Sequence, residues 1–168
     1  MRRGFEVVRA DPSMDRTLQK LLEFYFHDLA EWFRFDQQPD GSYTESTEHY
    51  WADGCDIYFL YAAGIPVGFS IVGAADSWLP ASGARDMTEF FIVRRHRRSG
   101  VAGEFASHIW NLYPGSWLVR VFQRNAPALP FWRKRIAEYT AGQFQEEIIR
   151  KDGNDWSYFS FESRGSER

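Results

Sequence analysis

FFIVRRHRRSGVAGEFASHIW, Phe90 to Trp110, sets an apolar run that ends at Val93 against an unbroken basic run, Arg94, Arg95, His96, Arg97 and Arg98. Gly100 and Gly103 follow and open a helical pattern in which Val101, Phe105, His108, Ile109 and Leu112 share one face. A strand therefore runs through a basic, glycine-containing turn into a helix. The first-turn N–H groups of a helix have no intrahelical acceptors, and the helix dipole adds partial positive charge there. Glycine lets a ligand approach the backbone, so the junction has the makings of a phosphate site. His108, on the apolar side of its helix, reads as a packing residue.

The rest of the chain is not basic. Its formal net charge is -3 and its pI is about 5.8, which argues against a general nucleic-acid surface. At 168 residues, 44% of them hydrophobic and 18% aromatic, one domain over 1–168 with a real core is expected. A polar, flexible tail is expected over 163–168. The one cysteine, Cys55, excludes an intrachain disulfide and a zinc cluster, and no His/Cys/carboxylate grouping has metal spacing. That cysteine usage suits a cytoplasmic protein. No apolar run approaches the roughly 20 residues of a membrane span. Met1-Arg2-Arg3 is basic but no apolar signal core follows it, and no internal repeat is present.

Outward from the basic turn, hydrophobic period and turn residues predict the remaining elements. Phe5–Arg9 reads as a strand. Asp11-Pro12-Ser13 starts a helix, with the serine hydroxyl as cap, and Leu18, Leu21, Leu22, Tyr25, Phe26 and Leu29 form its apolar face. That helix is expected to continue through Glu31-Trp32-Phe33. A polar loop spans Asp36–Ser46 and a short helical turn Glu48–Trp51. Strands are expected at Ile57–Ala62, Val67–Val72 and Met87–Val93, with a turn at Ala63–Pro66 and a loop at Ser77–Arg85. Helix at Gly100–Leu112, strand at Trp117–Phe122, helix at Pro127–Ile136 and strands at Thr140–Ile148 and Trp156–Phe161 complete the chain. Three successive strands with short turns predict antiparallel pairing, and the later strand–helix–strand passage allows one parallel neighbour. The fold class is mixed α/β (α+β), not a doubly wound sheet.

The basic turn lacks Gly-x-x-x-x-Gly-Lys-Ser/Thr and Gly-x-Gly-x-x-Gly, so neither a Walker A loop nor a Rossmann fingerprint applies. Arg97-Arg98-Ser99-Gly100-Val101-Ala102 instead resembles Arg/Gln-x-x-Gly-x-Gly/Ala, the coenzyme A pyrophosphate loop of the GCN5-related N-acetyltransferase (GNAT) superfamily. Asn125-x-x-Ala128-x-x-Phe131-Trp132 resembles that family's second signature, Asn-x-x-Ala-x-x-hydrophobic-Tyr. The element order also looks like the GNAT fold over about Phe5 to Phe161. The resemblance implies a central, mostly antiparallel mixed sheet with helices on both faces and two parallel strands that splay apart. It implies acetyl-CoA as co-substrate, with the pyrophosphate on the backbone amides of about Arg98, Ser99, Gly100, Val101, Ala102 and Gly103, and with Arg97 as a further cofactor-binding residue. The pantetheine arm would pair along Phe91, Ile92 and Val93, with Asn125 and Trp132 as further cofactor contacts. Arg94, Arg95 and His96 would meet the 3′-phosphate or stand in solvent. An amine of a small molecule or peptide would attack the thioester directly, with no acyl-enzyme and no metal.

One departure and four candidate residues follow. Many relatives carry a tyrosine where Trp132 stands, and an indole N–H has no acid chemistry near neutral pH. Tyr139 is a weak substitute, seven residues further on. Glu89, on the strand leading to Val93 and on one face with Phe91 and Val93, is the candidate catalytic base for an ammonium with a pKa near 10. His27, Asp28 and Glu31 cluster on the first helix, the last two at i,i+3, and are candidate acceptor contacts among Tyr25, Trp32, Tyr43, Tyr50 and Trp51. The aromatic excess suits a homodimer interface or a packed core alike. The alternatives are a non-catalytic acyl-CoA-binding or sensing domain and a phosphate loop for another nucleotide.

Overall fold

The computed structural model describes residues 3–43, 46–52, 54–76 and 83–165. Seven strands, β1 (Phe5–Arg9), β2 (Asp56–Ala62), β3 (Ile65–Ala74), β4 (Arg85–Ile92), β5 (Gly115–Phe122), β6 (Phe144–Lys151) and β7 (Asn154–Ser163), form one sheet in the order β1-β2-β3-β4-β5-β7-β6. The helices are α1 (Asp15–Leu29), α2 (Glu48–Ala52), α3 (Val101–Leu112) and α4 (Ala128–Thr140). The sheet is mixed and mostly antiparallel, as expected. Its parallel pair is β4 with β5, registered at Arg85↔Trp117 and Asp86↔Leu118. The loop expected over Ser77–Arg85 falls mostly outside the described residues, and Arg85 itself begins β4. The chain divides into two compact units, Met1–Val72 with Glu89–Ala102, and Gly73–Thr88 with Gly103–Arg168.

In the first unit, β1 and β2 pair antiparallel from Phe5↔Ala62 to Arg9↔Tyr58. β2 and β3 form a hairpin closed by Ala63 and Gly64, both at positive φ (49° and 78°), the conformation a two-residue type I′ turn demands. The register slips between Leu60 and Tyr61, where Val67 is the extra residue and Pro66 is accommodated beside it. Cross-strand neighbours Ile57/Ile71 and Phe59/Phe69 lie in one cluster with Leu18, Leu21 and Leu22 of α1, Tyr50 of α2 and Phe91 of β4. The helix forms because its leucines at i, i+3 and i+4 have this apolar sheet face to cover. Asp11, not Ser13, caps the 3-10 turn Pro12–Met14 that leads into the helix: the carboxylate accepts from the Ser13 backbone N–H at 2.9 Å and from the Ser13 hydroxyl at 2.5 Å. The helix stops at Leu29 rather than running through Phe33. Trp32 and Phe33 turn back to the Leu29 carbonyl (2.9 and 3.0 Å).

In the second unit, β7 pairs with β5 from Gly115↔Ser163 to Phe122↔Trp156 and with β6 through a hairpin closed by Asp152 and Gly153, again both at positive φ. Trp110 is fully buried and meets Tyr139 (ring centroids 4.9 Å), Phe161 (5.0 Å) and Trp132 (6.2 Å). α4 runs through Thr140, where sequence period suggested a strand, and ends where Ala141 turns left-handed (φ 52°). His108 is exposed, so its expected place on the buried face of α3 is corrected: Phe105, Ile109 and Trp110 fill that face. Leu112, expected on the same face, is 44% exposed. Among the described residues, no helix is long and apolar enough to cross a membrane.

Candidate active site

Glu89 lies on β4 and is partly buried. Both of its carboxylate oxygens accept phenol hydrogen bonds. The Tyr25 hydroxyl donates to Oε2, and the Tyr50 hydroxyl donates to Oε1 at 3.5 Å. α1 presents Tyr25, whose ring packs edge-on against Phe69 (5.7 Å) and Phe91 (5.9 Å). α2 presents Tyr50, which is 7% exposed. This five-residue helix is anchored by Asp15 at the start of α1, whose Oδ1 accepts from the Thr47 hydroxyl (2.5 Å) and from Trp51 Nε1 (2.6 Å). Burial, and then the Glu89 charge and hydrogen bond, push the Tyr50 hydroxyl well above the ordinary phenol range. It remains a donor at any physiological pH.

The basic turn is tied to α1. Arg94 donates to Asp28 Oδ1 through Nη2 (2.6 Å) and Nε (3.1 Å), and Arg97 Nη2 donates to Asp28 Oδ2 (2.5 Å). Burial alone would raise the Asp28 pKa; hydrogen bonds and charge from Arg97 and Arg94 outweigh it and hold the carboxyl below its usual range. Arg97 also donates through Nε to the Ile92 carbonyl (2.7 Å), with its guanidinium 5.3 Å from the centre of the Phe91 ring. His96 packs edge-on against Phe5 at 5.8 Å, a packing role rather than a solvated one. Arg98 (φ 61°) and Gly100 (φ 88°) turn the chain left-handed twice within three residues. Such a turn leads main-chain N–H groups into one concavity and delivers the chain to α3 at Val101. Ser99 braces it, donating to the His96 carbonyl (2.8 Å) and accepting from Val101 N–H (3.4 Å). Phe91 and Ile92 are buried, and Val93 donates its N–H to the Val67 carbonyl on β3 (2.9 Å).

His27, Asp28 and Glu31 do not form one group. His27 is exposed and lies 3.4 Å through Nδ1 from the Tyr43 hydroxyl; Asp28 is held by the two arginines. Glu31 is exposed beyond the end of α1, so the i,i+3 relation expected of it with Asp28 on a helix does not exist.

In the second unit, Gly103 needs no unusual φ; a Cβ there would lie 2.6 Å from Arg135 Cδ, so a side chain would displace that guanidinium. Arg135 is a cation beside the first turn of α3 that sequence reading missed, since only the packing of α4 brings it there. Asn125 stands three residues before α4, its Oδ1 accepting from the Ala128 N–H at 3.2 Å. Trp132 is 7% exposed and packs against Phe131 (4.9 Å). The Tyr139 hydroxyl bonds Asn111 Oδ1 and Ser163 Oγ, both at 2.7 Å, and burial raises its pKa, which makes it a poorer acid. Among the described residues, no group of three or more His, Cys, Asp or Glu is placed to hold a metal ion.

No protein-family model matches the sequence, and no curated protein matches it either. Solved structures do. An acetyltransferase from Thermus thermophilus is similar at a TM-score of 0.68 and 12% identity, over 94% of this chain and 96% of that one. The chain has the GNAT fold. Spermidine N-acetyltransferase from Vibrio cholerae, solved in complex with CoA and spermine, is similar at a TM-score of 0.64 and 12% identity over 96% and 97% of the two chains. The ribosomal-protein-S18-alanine N-acetyltransferase of Escherichia coli is similar at 0.65 and 13% over 97% and 96%. The last two are named for different acceptors, so the likeness fixes the architecture and leaves the acceptor open.

Proposed function

We propose that this GNAT-fold chain is an acyl-CoA-dependent N-acetyltransferase that moves acetyl from acetyl-CoA to an amine of a small molecule or peptide. The observation that carries the reading is the junction of β4 with α3. There the coenzyme A loop pattern of Arg97–Ala102 coincides with two left-handed residues and the start of a twelve-residue helix. A double turn opening onto a helix N-terminus suits a pyrophosphate by geometry as well as by motif. In this reading, backbone N–H groups from Arg98 to Gly103 bind the pyrophosphate, with Arg98 adding charge. Arg94 and Arg97 hold the turn to α1 through Asp28. The pantetheine arm runs along Phe91, Ile92 and Val93 at the end of β4, where the Val93 N–H is engaged by the Val67 carbonyl and the Ile92 carbonyl by Arg97 Nε.

Glu89 accepts a proton from the acceptor ammonium. The freed nitrogen forms a bond to the thioester carbonyl carbon, that nitrogen gives up its second proton to solvent, the C–S bond breaks, and the thiolate leaves with its electron pair. Trp132 supplies no proton, and Tyr139 is bonded elsewhere, so the thiolate collects its proton from solvent.

Thiol release from acetyl-CoA, followed across a panel of polyamines, amino acids and peptide N-termini, tests the reading. Amine-dependent release that Glu89→Gln suppresses is expected. Cofactor binding with no release on any amine would favour a non-catalytic acyl-CoA-binding domain, the reading that the buried tryptophan at position 132 keeps in view.

A further inference from the structure

The partners of Glu89 suggest more than a lone base. Its two oxygens are taken by phenols from two different helices, with sequence separations of 64 and 39 residues. Packing alone would be served by phenylalanine at either position. A phenol hydroxyl buried as deeply as that of Tyr50 needs an acceptor, and Glu89 is that acceptor. The anchoring of α2 on Asp15, through Thr47 and Trp51, fixes where the hydroxyl points.

We propose that Tyr25 and Tyr50 are positioning residues that clamp Glu89 as an oriented carboxylate, and so set the lower pH limit at which an acceptor amine is deprotonated. The inference rests on the acetyltransferase reading for its catalytic meaning. Hydrogen bonds donated to a carboxylate favour its charged form. The same coupling, seen from the other side, contributes to the raised Tyr50 pKa, second to burial and with a smaller push from Cys55. Arg94 and Arg97, the cations of the same turn, are committed to Asp28. The two donated hydrogen bonds favour the charged form of Glu89 at the cost of some basicity.

Tyr25→Phe, Tyr50→Phe and Glu89→Gln test this in the full chain, each checked for cooperative unfolding. The Glu89 carboxyl is titrated by side-chain carbon NMR, assigned by its disappearance in Glu89→Gln, and kcat/KM is measured against pH. In Tyr25→Phe, whose hydroxyl is the closer donor, the Glu89 pKa and the acidic limb of the profile should both move up by roughly one unit. Tyr50→Phe should move both less. An unchanged Glu89 titration in both variants overturns the clamp, whether or not the chain acetylates. A shifted titration with an unmoved activity limb overturns the positioning role. A shifted titration in a chain that releases thiol on no amine removes the acetyltransferase reading, and with it the catalytic use of a clamp that is itself present.

Discussion

At the scale of single residues, Gly68 and Glu89 make opposite demands. Gly68 is a packing requirement: a Cβ there would lie 2.5 Å from the Phe91 carbonyl oxygen and 2.6 Å from Ile92 Cδ1. Backbone cannot step aside as a side-chain tip can, so Gly68→Ala should cost about 1–3 kcal/mol in urea unfolding. Gly103→Ala should cost less, because the atoms in its way belong to the flexible Arg135 side chain. In the proposed acetyltransferase reading, Glu89 is a requirement of chemistry. Glu89→Gln keeps shape and one acceptor oxygen but loses the charge that takes a proton. It should lower kcat by roughly 10²–10⁴-fold and leave the acetyl-CoA dissociation constant within a factor of about two, measured by steady-state kinetics and calorimetry. Residue types and local spacing made Glu89, Arg97 and Gly100 visible in sequence. They did not show that Tyr25 and Tyr50 converge on Glu89, or that Asp28 belongs to the basic turn. Those are contacts across 39 to 69 positions, and no short-range pattern encodes them.

At the scale of elements, β4 and β5 carry a buried ion pair that no local pattern announced. Asp86 Oδ2 lies 2.5 Å from Arg120 Nη2, and the Asp86 side chain is 4% exposed. Among the described residues, Asp86 Oδ1 and Arg120 Nε have no hydrogen-bond partner. Burial pushes the Asp86 carboxyl up to about 6 against the lowering pull of Arg120. A raised folded-state pKa means the native protein binds this proton more readily than the unfolded chain does. The resulting stability is present below about pH 4 and lost as pH rises through about 6. Relative to wild type, Asp86→Asn should therefore gain roughly 2 kcal/mol between pH 4 and pH 8, read from denaturant curves at both pH values. Arg120→Met should cost about 3 kcal/mol at pH 8, where it strands a charged carboxylate, and less at pH 5.

The elements themselves were largely legible, since apolar period and Gly or Pro breaks mark most of them. The misses have physical causes. α1 stops at Leu29 with no glycine or proline to announce it. Tyr139 and Thr140 suit a strand by propensity, yet Tyr139 packs on Trp110 and bonds Asn111 and Ser163, which holds them in α4.

At the scale of the whole molecule, a chain of net charge -3 gathers five consecutive basic residues at the junction where β4 leads through a double left-handed turn into α3. The Asp28 pairs with Arg94 and Arg97 are partly exposed, with Arg94 at 71% and Arg97 at 40% side-chain exposure, so they orient the turn more than they stabilise the protein. Asp28→Asn should thus cost no more than about 1 kcal/mol in unfolding. The most direct measurement is thermal unfolding of the intact chain with acetyl-CoA, coenzyme A, ATP and NAD in parallel. A ligand at about 100 times its dissociation constant adds roughly 2.7 kcal/mol if it binds only the folded state. A large upward shift in Tm with acetyl-CoA and coenzyme A, and little with ATP or NAD, is the predicted result. No shift with either coenzyme A form at concentrations well above micromolar, or an equal shift with ATP, would contradict the assignment of Arg97–Gly103 as a coenzyme A cradle.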